Sequence, residues 1–232
     1  MIAQQIFNNL YSITHKNVNV FLLDLPDGLV LIDTGLPGTE EIILQALTEL
    51  RRQPEDIRWI VLTHAHPDHI GSAAALKRLT GAKIYIHSLD AEIARRGSGF
   101  RPMRLSPGLF SWLMVKLFPI KTKEVEPVEI DELLQDQQIL FGLGNLQVIH
   151  TPGHCLGQVA LLWPEHDGVL FFADTCMNLG KLRLTLVYED LAEGKRSLRR
   201  LSELQFQSGC FGHGKVVLND AGKQFKKWLN SI

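Results

Sequence analysis

The chain has 232 residues, which is enough for one large domain with its own core or for two small ones. It carries 24 basic and 25 acidic side chains, and this balance excludes the strongly basic surface of a typical nucleic-acid-binding protein. Three cysteines without a paired spacing, and a first stretch without signal-peptide features, predict a protein of the reducing cytoplasm.

The first part of the chain predicts short strands followed by alternating helices and strands. Turn-forming residues at 15–17 and 26–28 separate the first strands, and apolar residues recur at helical spacing between Glu40 and Arg51. The predicted strands cover 6–13, 18–23, 29–32, 57–62 and 84–86, and the predicted helices cover 40–51, 73–79 and 90–95.

The segment from about residue 96 to 132 breaks this regular pattern. It is rich in Phe, Trp, Met and Leu and is interrupted by Pro102, Pro107 and Pro119, so it predicts an insert with one or two short helices. Its most apolar part, 109–120, is too short to span a bilayer, and we expect no stable membrane insertion.

The second half resumes the regular pattern of strands, a loop with polar residues, and then a helix. Because the two halves look alike, we predict one domain over residues 1–232, an α/β pseudo-duplicated sandwich with helices outside and a site along one shared edge. The predicted strands are 146–149, 159–163, 169–172 and 210–211, and the predicted helices are 191–204 and 220–229.

A dense group of histidines follows the apolar strand 57–62. Imidazole combined with carboxylate is a ligand set for zinc, manganese or iron, whereas calcium and magnesium prefer oxygen ligands. A strand that ends in such a group holds it at the rim of a sheet, so the pattern predicts a metal site there. The group is Thr63-His64-Ala65-His66-Pro67-Asp68-His69.

Three further polar residues follow apolar runs in the second half, namely His154, Asp174 and His213. Each alone is typical of a surface or hydrogen-bonded side chain. Together they all stand at the C-terminal end of an apolar run, which is where sites collect in layered α/β proteins. They are therefore the candidates for the remaining metal ligands.

These motifs resemble those of the metallo-β-lactamase fold hydrolases. The resemblance covers nearly the whole chain and predicts an αββα sandwich with two metal ions at one edge. It rests on the order of H-x-H-x-D-H at 64–69, T-P-G-H at 151–154, F-F-A-D-T at 171–175 and F-G-H-G at 211–214, together with D-T-G at 33–35.

The resemblance also implies a role for each ligand. Asp174 would bridge two divalent ions, for which zinc is favoured and manganese or iron are alternatives, and Asp33 would support the histidine loop from behind. His64, His66 and His154 would hold the first ion, and Asp68, His69 and His213 the second.

Such a site implies hydrolysis by a hydroxide shared between the metals, with Asp68 as the catalytic residue that orients it and moves its proton. We expect a small-molecule substrate, an ester, thioester or lactone with an apolar group if the 96–132 insert is a substrate lid. The insert is equally well explained as a cap on the core. A homodimer is compatible with the sequence.

Several other functions stay open at this point. Persulfide dioxygenases keep much of the motif but use one iron, held by the equivalents of His64, His154 and Asp174. A phosphodiesterase is less favoured, and a non-enzymatic binding protein is disfavoured by the complete ligand set.

True β-lactamases of the fold usually lack the bridging aspartate. The chain ends one helix after His213, without room for the helical domain of glyoxalase II, so we expect no glutathione thioesterase activity.

Residues near these motifs receive weaker predictions. Tyr188 is only weakly placed for the tyrosine that lactonases of the fold use. Cys155 and Cys176 are predicted to be packing thiols, and His87 a structural histidine. Further cations are candidates for binding a substrate anion, although such residues are more often solvated; they are Arg101, Arg104, Lys181 and Arg183.

Overall fold

The structure is a computed structural model that describes residues 1–117 and 124–232. Its described part separates into two compact units. Among the described residues, unit 1 comprises 1–100, 124–134 and 142–144, and unit 2 comprises 101–117, 135–141 and 145–232. The single domain over 1–232 stays a prediction.

The described residues form the following helices and strands in chain order. The first half contains β1 (Ala3–Phe7), β2 (Leu10–His15), β3 (Val18–Leu25), β4 (Gly28–Ile32), α1 (Thr39–Glu49), β5 (Ile57–Val61), α2 (Pro67–Ile70), α3 (Ala73–Thr80), β6 (Lys83–His87), α4 (Ser88–Arg96), β7 (Arg104–Leu105) and α5 (Leu109–Leu117). The rest contains β8 (Glu132–Leu134), β9 (Ile139–Leu140), β10 (Leu146–His150), β11 (Val159–Trp163), β12 (Val169–Phe171), β13 (Met177–Asn178), β14 (Leu182–Arg183), β15 (Val187–Tyr188), α6 (Leu191–Ser202), β16 (Ser208–Cys210) and α7 (Ala221–Leu229).

Unit 1 is built on a seven-stranded sheet with the strand order β1-β2-β3-β4-β5-β6-β8. Its first four strands form antiparallel hairpins, and the turn between β2 and β3 uses Lys16 and Asn17 with φ of 50° and 67°, the left-handed pair that two-residue hairpins favour. Strands β4, β5 and β6 are parallel, so helices connect them. The polar stretches after β4 and β5 therefore begin at the same edge.

The core of unit 1 lies under this sheet and explains why the helices form. Helix α1 buries one apolar face, Ile43, Ala46 and Leu47, at the helical spacing expected from the sequence. These side chains belong to the same cluster as Leu31 of β4 and Ile60 of β5. The strands that deliver the histidine loop are thus fixed by close packing.

Unit 2 contains a five-stranded sheet with the order β16-β12-β11-β10-β9. Strands β12 and β16 are parallel, so the residues after both strands start at one edge of the sheet. The core behind them is aromatic, with the Phe172 and Phe211 rings stacked 4.8 Å apart at an interplanar angle of 7°. The loops that carry Asp174 and His213 both begin in this rigid cluster.

One expectation about local structure was wrong, and one short element was not predicted. The single strand predicted over 6–13 is a hairpin of β1 and β2, because Asn8 and Asn9 form its turn and the Asn9 carbonyl accepts a hydrogen bond from the Asp24 N–H at 2.9 Å. The insert also contains a short strand, β7, which pairs antiparallel with β15.

The insert otherwise matches the prediction of a short helix, which is α5. The part of the prediction that falls on 118–123 lies outside the described residues. Among the helices that the structure describes, none has both the length and the apolar character needed to cross a membrane.

Candidate metal centre

In unit 1 the predicted histidine loop leaves β5 and turns into the short helix α2. Pro67 stands at the first helical position, where its missing N–H costs nothing, and the His69 N–H donates to the His66 carbonyl at 2.9 Å. This turn brings the rings together: the His64 centroid lies 4.6 Å from that of His66 and 4.1 Å from that of His69. All three rings are buried, whereas Asp68 is one-third exposed.

The buried carboxylate of Asp33 supports this loop from behind. It accepts hydrogen bonds from the Thr63 N–H and the Thr63 hydroxyl, both at 2.8 Å. It also accepts one from His69 Nδ1 at 2.8 Å. Asp33 adopts a left-handed backbone conformation, with φ of 61°, which aspartate tolerates better than most residues. The structure thus gives Asp33 contacts that suit the supporting role implied by the resemblance.

The same hydrogen bonds define the tautomers of two rings. A carboxylate only accepts, so the His69 proton sits on Nδ1 and the lone pair on Nε2. The Thr63 hydroxyl donates to Asp33 and therefore accepts from His64 Nδ1, which lies 3.0 Å away. The lone pair of His64 is then also on Nε2. Fixing the far nitrogen in this way is how proteins prepare histidines to ligate metals.

A second buried carboxylate, Asp90 of α4, was not predicted to take part. Its Oδ2 accepts a hydrogen bond at 2.9 Å from the N–H of Ala65, the residue between His64 and His66. The sequence offers only a weak signal for it, an acidic residue in the first turn of a helix after a strand. His87 caps the same helix by accepting from the Leu89 N–H, consistent with the predicted structural role.

Unit 2 brings His154, Asp174 and His213 together around one carboxylate oxygen. Asp174 Oδ2 lies 3.6 Å from His154 Nε2 and 3.1 Å from His213 Nε2. His154 and Asp174 are buried, whereas His213 is half-buried. His154 Nδ1 donates to the Val187 carbonyl at 2.9 Å, so its lone pair is on Nε2, the nitrogen nearer to Asp174.

The loop that carries Asp174 is shaped by its neighbours in the chain. Ala173 is left-handed, with φ of 49°, and the Thr175 N–H bonds back to the Phe172 carbonyl at 3.1 Å. The Thr175 hydroxyl accepts from Gln158 at 3.0 Å, and the Thr175 carbonyl accepts from the Tyr188 hydroxyl at 3.2 Å. These interactions fix the loop without touching Asp174 itself.

The loop that carries His154 depends on a glycine. Gly153 has φ of 136°, and a Cβ at this position would lie 2.2 Å from the Gly194 Cα in helix α6. Only a residue without a side chain permits this approach. The backbone of Gly153 and His154 can then accept hydrogen bonds from Asp190 and Glu189 at 2.9 and 3.1 Å.

Each unit therefore brings histidine and aspartate donor atoms close to one another. In unit 1, ligand atoms of His64 lie within 4.8 Å of those of His66 and of His69, and ligand atoms of Asp68 and His69 are equally close. The donors are imidazole nitrogens and carboxylate oxygens, the set that suits zinc, manganese or iron. The side chains present thus fit a transition metal.

A family model described as the metallo-beta-lactamase superfamily matches residues 13–207 of the sequence. The chain belongs to the metallo-beta-lactamase superfamily. This confirms the resemblance found in the motifs. Membership accounts for the presence of histidine and aspartate groups of a kind that could hold a metal ion.

Individual members of the superfamily are similar over different lengths. A beta-lactamase-like protein 2 homolog of Drosophila melanogaster is 27% identical, with 93% of this chain and 64% of that protein covered. A hydroxyacylglutathione hydrolase of Albidiferax ferrireducens is 32% identical, with 64% of this chain and 44% of that protein covered. This chain spans less than two thirds of the length of both relatives.

A solved structure of a metallo-beta-lactamase from Cronobacter sakazakii, in a motif-mutant form, has the same fold. It is 26% identical, with 92% of this chain and 81% of that chain covered and a TM-score of 0.73. The predicted metallo-β-lactamase fold class is therefore confirmed.

The remaining residues singled out from the sequence make contacts within unit 2. Tyr188 is buried and its hydroxyl bonds to the Thr175 carbonyl, and burial raises its pKa well above the ordinary value. The thiols of Cys155 and Cys176 are buried, and burial raises the pKa of Cys176, which agrees with a packing role. Arg101 pairs with Glu189 at 3.3 Å, and the Arg183 guanidinium lies 4.1 Å from the Phe110 ring.

Proposed function

We propose that this chain is a binuclear metal-dependent hydrolase of a small ester, thioester or lactone with an apolar group. The observation that carries the proposal is the orientation of the imidazoles. His64, His69 and His154 each use Nδ1 in a hydrogen bond, so each has its lone pair on Nε2. Histidines prepared in this way serve as metal ligands.

We assign the ligands as the order of the motifs implies. Two divalent ions, with zinc favoured by the donor set, would lower the pKa of a water molecule and stabilise a developing oxyanion. The closeness of Asp174 Oδ2 to two imidazole nitrogens supports the bridging role of Asp174. His64, His66 and His154 would hold one ion, Asp68, His69 and His213 the other, and Asp174 both.

Asp68 is the proposed catalytic residue. Its carboxylate is one-third exposed, and its Oδ2 lies 3.8 Å from His69 Nε2. A carboxylate at this place can orient a water molecule and take up its proton, which an imidazole bound to a metal cannot do. The other carboxylates near the loop, Asp33 and Asp90, are occupied by buried donors and serve to position it.

The apolar segment at the start of unit 2 supports a substrate with an apolar group. In residues 109–117 the apolar side chains of Phe110 and Met114 are half-buried, and Arg183 packs against Phe110. Esters, thioesters and lactones share an electron-poor carbonyl that suits attack by an activated water. Kinetics with substrates that differ only in the length of an acyl chain would test this part of the proposal.

The first test is the metal content of the purified protein together with hydrolysis of a panel of esters, thioesters and lactones. We expect about two equivalents of metal per chain. Asp174→Asn should lose at least one equivalent and most of the activity, because an amide is a poor bridging ligand. The control is Asp167→Asn. Asp167 is exposed and lies in the turn before β12, so its replacement should change neither the metal content nor the activity.

Two results would contradict the proposal. Asp174→Asn that keeps both metal ions and full activity would disprove the bridging assignment. The other result is a single iron that the protein retains when zinc is offered in excess, together with oxygen consumption in the presence of a persulfide. It would show that the protein is a dioxygenase and not a hydrolase.

A further inference from the structure

Helix α5 turns an apolar stripe towards solvent. Leu109, Trp112, Leu113, Lys116 and Leu117 follow the spacing i, i+3, i+4, i+7 and i+8, so they share one face. The exposed fractions of the four apolar members are 76%, 49%, 43% and 60% in that order. A helix on the surface of a soluble protein normally shows polar residues on this face.

The opposite face of α5 accounts for its attachment to unit 2. Ser111 is buried, Phe110 and Met114 are half-buried, and the Arg183 guanidinium covers the Phe110 ring. The inner side chains therefore hold the helix in place. Packing within unit 2 does not explain why the side chains of the outer face are apolar. Single exposed apolar residues need no explanation, but a continuous stripe of them marks an interaction surface.

The segment that carries this stripe contains basic residues and no acidic ones. From residue 97 to residue 117 the sequence contains Arg101, Arg104 and Lys116 and no Asp or Glu, in a chain whose net charge is −1. Of these cations, Arg104 and Lys116 are exposed, and Lys116 Nζ lies 4.8 Å from the centre of the Trp112 ring. The apolar stripe is thus bordered by positive charge.

We propose that the outer face of α5 docks the protein on an anionic phospholipid bilayer. Leucine and tryptophan side chains enter the boundary between headgroups and acyl chains, while lysine and arginine contact anionic headgroups. Nine residues of helix extend only ~14 Å, so α5 lies in the interface and does not cross it.

A second copy of the chain suits this face less well. In a two-fold dimer each residue of the surface meets the same surface of the partner. The basic residues around α5 would then face each other, and such like-charge contacts weaken association. An anionic bilayer instead provides both the apolar layer and the opposite charge.

The test is sedimentation of the 232-residue protein with unilamellar vesicles. One set is pure phosphatidylcholine and the other contains equal parts of phosphatidylcholine and phosphatidylglycerol. We expect binding to the anionic vesicles at low salt, weaker binding at high salt, and little binding to the neutral vesicles. Protein that stays in the supernatant with anionic vesicles at low salt would overturn the proposal.

A matched pair of variants tests the role of α5 itself. Leu113→Glu should lower the partition coefficient on anionic vesicles at least about tenfold, since it places a negative charge in the stripe. Leu79→Glu is the control, because Leu79 of α3 is 46% exposed, against 43% for Leu113, and should change binding less than about twofold. Circular dichroism verifies that both variants fold.

Two outcomes of this pair would refute the proposal. One is equal vesicle binding by Leu113→Glu and the wild type. The other is a wild-type dimer, seen by sedimentation velocity without lipid, that Leu113→Glu converts to a monomer. The second outcome would assign the face to a second copy of the chain.

Discussion

The two groups of candidate ligands are held in place by different means. In unit 1 the histidines come from one continuous loop, and two buried carboxylates, Asp33 and Asp90, accept hydrogen bonds from that loop. In unit 2 the ligands come from three separate segments, and close backbone approaches and a network behind Thr175 fix their loops. Removing a carboxylate acceptor should therefore disturb the histidine loop of unit 1. Adding a side chain at a close backbone approach should disturb the ligand loops of unit 2.

The largest effect is expected from Asp33→Ala. This change leaves three donors without their acceptor in a buried place: the N–H and hydroxyl of Thr63, and Nδ1 of His69. We expect a loss of about 4 kcal/mol in the free energy of unfolding, measured by urea denaturation. Metal affinity, measured by competition with a chelator, should fall about 10–100-fold.

Two variants sharpen this prediction. Asp33→Asn keeps the size of the side chain but offers one accepting oxygen in place of two. Its free energy of unfolding and its metal affinity should therefore lie between those of the alanine variant and the wild type. Asp27→Ala removes an exposed carboxylate from the turn between β3 and β4 and should be neutral within about 0.5 kcal/mol. An Asp33→Ala protein as stable as the Asp27→Ala protein would disprove the carboxylate support of unit 1.

A somewhat smaller effect is expected from Gly153→Ala in unit 2. The added Cβ would lie 2.2 Å from the Gly194 Cα, and the backbone φ of 136° is unfavourable for alanine. We expect unfolding to become easier by about 3 kcal/mol, because backbone must shift to relieve the overlap. Thermal and urea unfolding measure this change, and weaker metal binding should accompany it as His154 moves.

The control for this change is Gly180→Ala in the same unit. Gly180 also has a positive φ, of 85°, but a Cβ there meets nothing within 4 Å. Its cost should be limited to backbone strain, about 1 kcal/mol. Equal losses for both variants would mean that the close approach to α6 does not hold the His154 loop.

The difference between the two groups also explains what could be predicted from the sequence. The loop 63–69 is continuous, so its ligand chemistry was visible directly. Asp174 and His213 are separated by 38 residues and were assigned roles only through the order of family motifs. Spacing alone does not show that parallel strands β12 and β16 start both loops at one edge.

Supporting residues were harder to predict for a related reason. Asp90 stabilises the loop by accepting a hydrogen bond from the backbone N–H of Ala65. Every residue except proline has such an N–H, so the sequence does not indicate which one is the partner. The two-residue strand β7 exists because β15 pairs with it, and a pair of residues has too little periodicity to predict a strand. Tyr188 is only weakly placed for the tyrosine that lactonases of the fold use, and its burial and its hydrogen bond to the Thr175 carbonyl suit a supporting role.

The smallest effect is expected from Tyr188→Phe, which tests the network behind Asp174. The variant removes the buried hydroxyl that donates to the Thr175 carbonyl at 3.2 Å and should cost about 1 kcal/mol of stability. Tyr11→Phe is an unusually close control, because the Tyr11 hydroxyl donates to the Asn8 carbonyl over the same 3.2 Å but in an exposed place, where water replaces it. The cost of Tyr11→Phe should stay within about 0.5 kcal/mol.

If Tyr188 only positions the Asp174 loop, removing its hydroxyl should lower metal affinity modestly and leave the pH profile of hydrolysis unchanged. A shifted pH profile would instead return Tyr188 to the reaction as a proton donor.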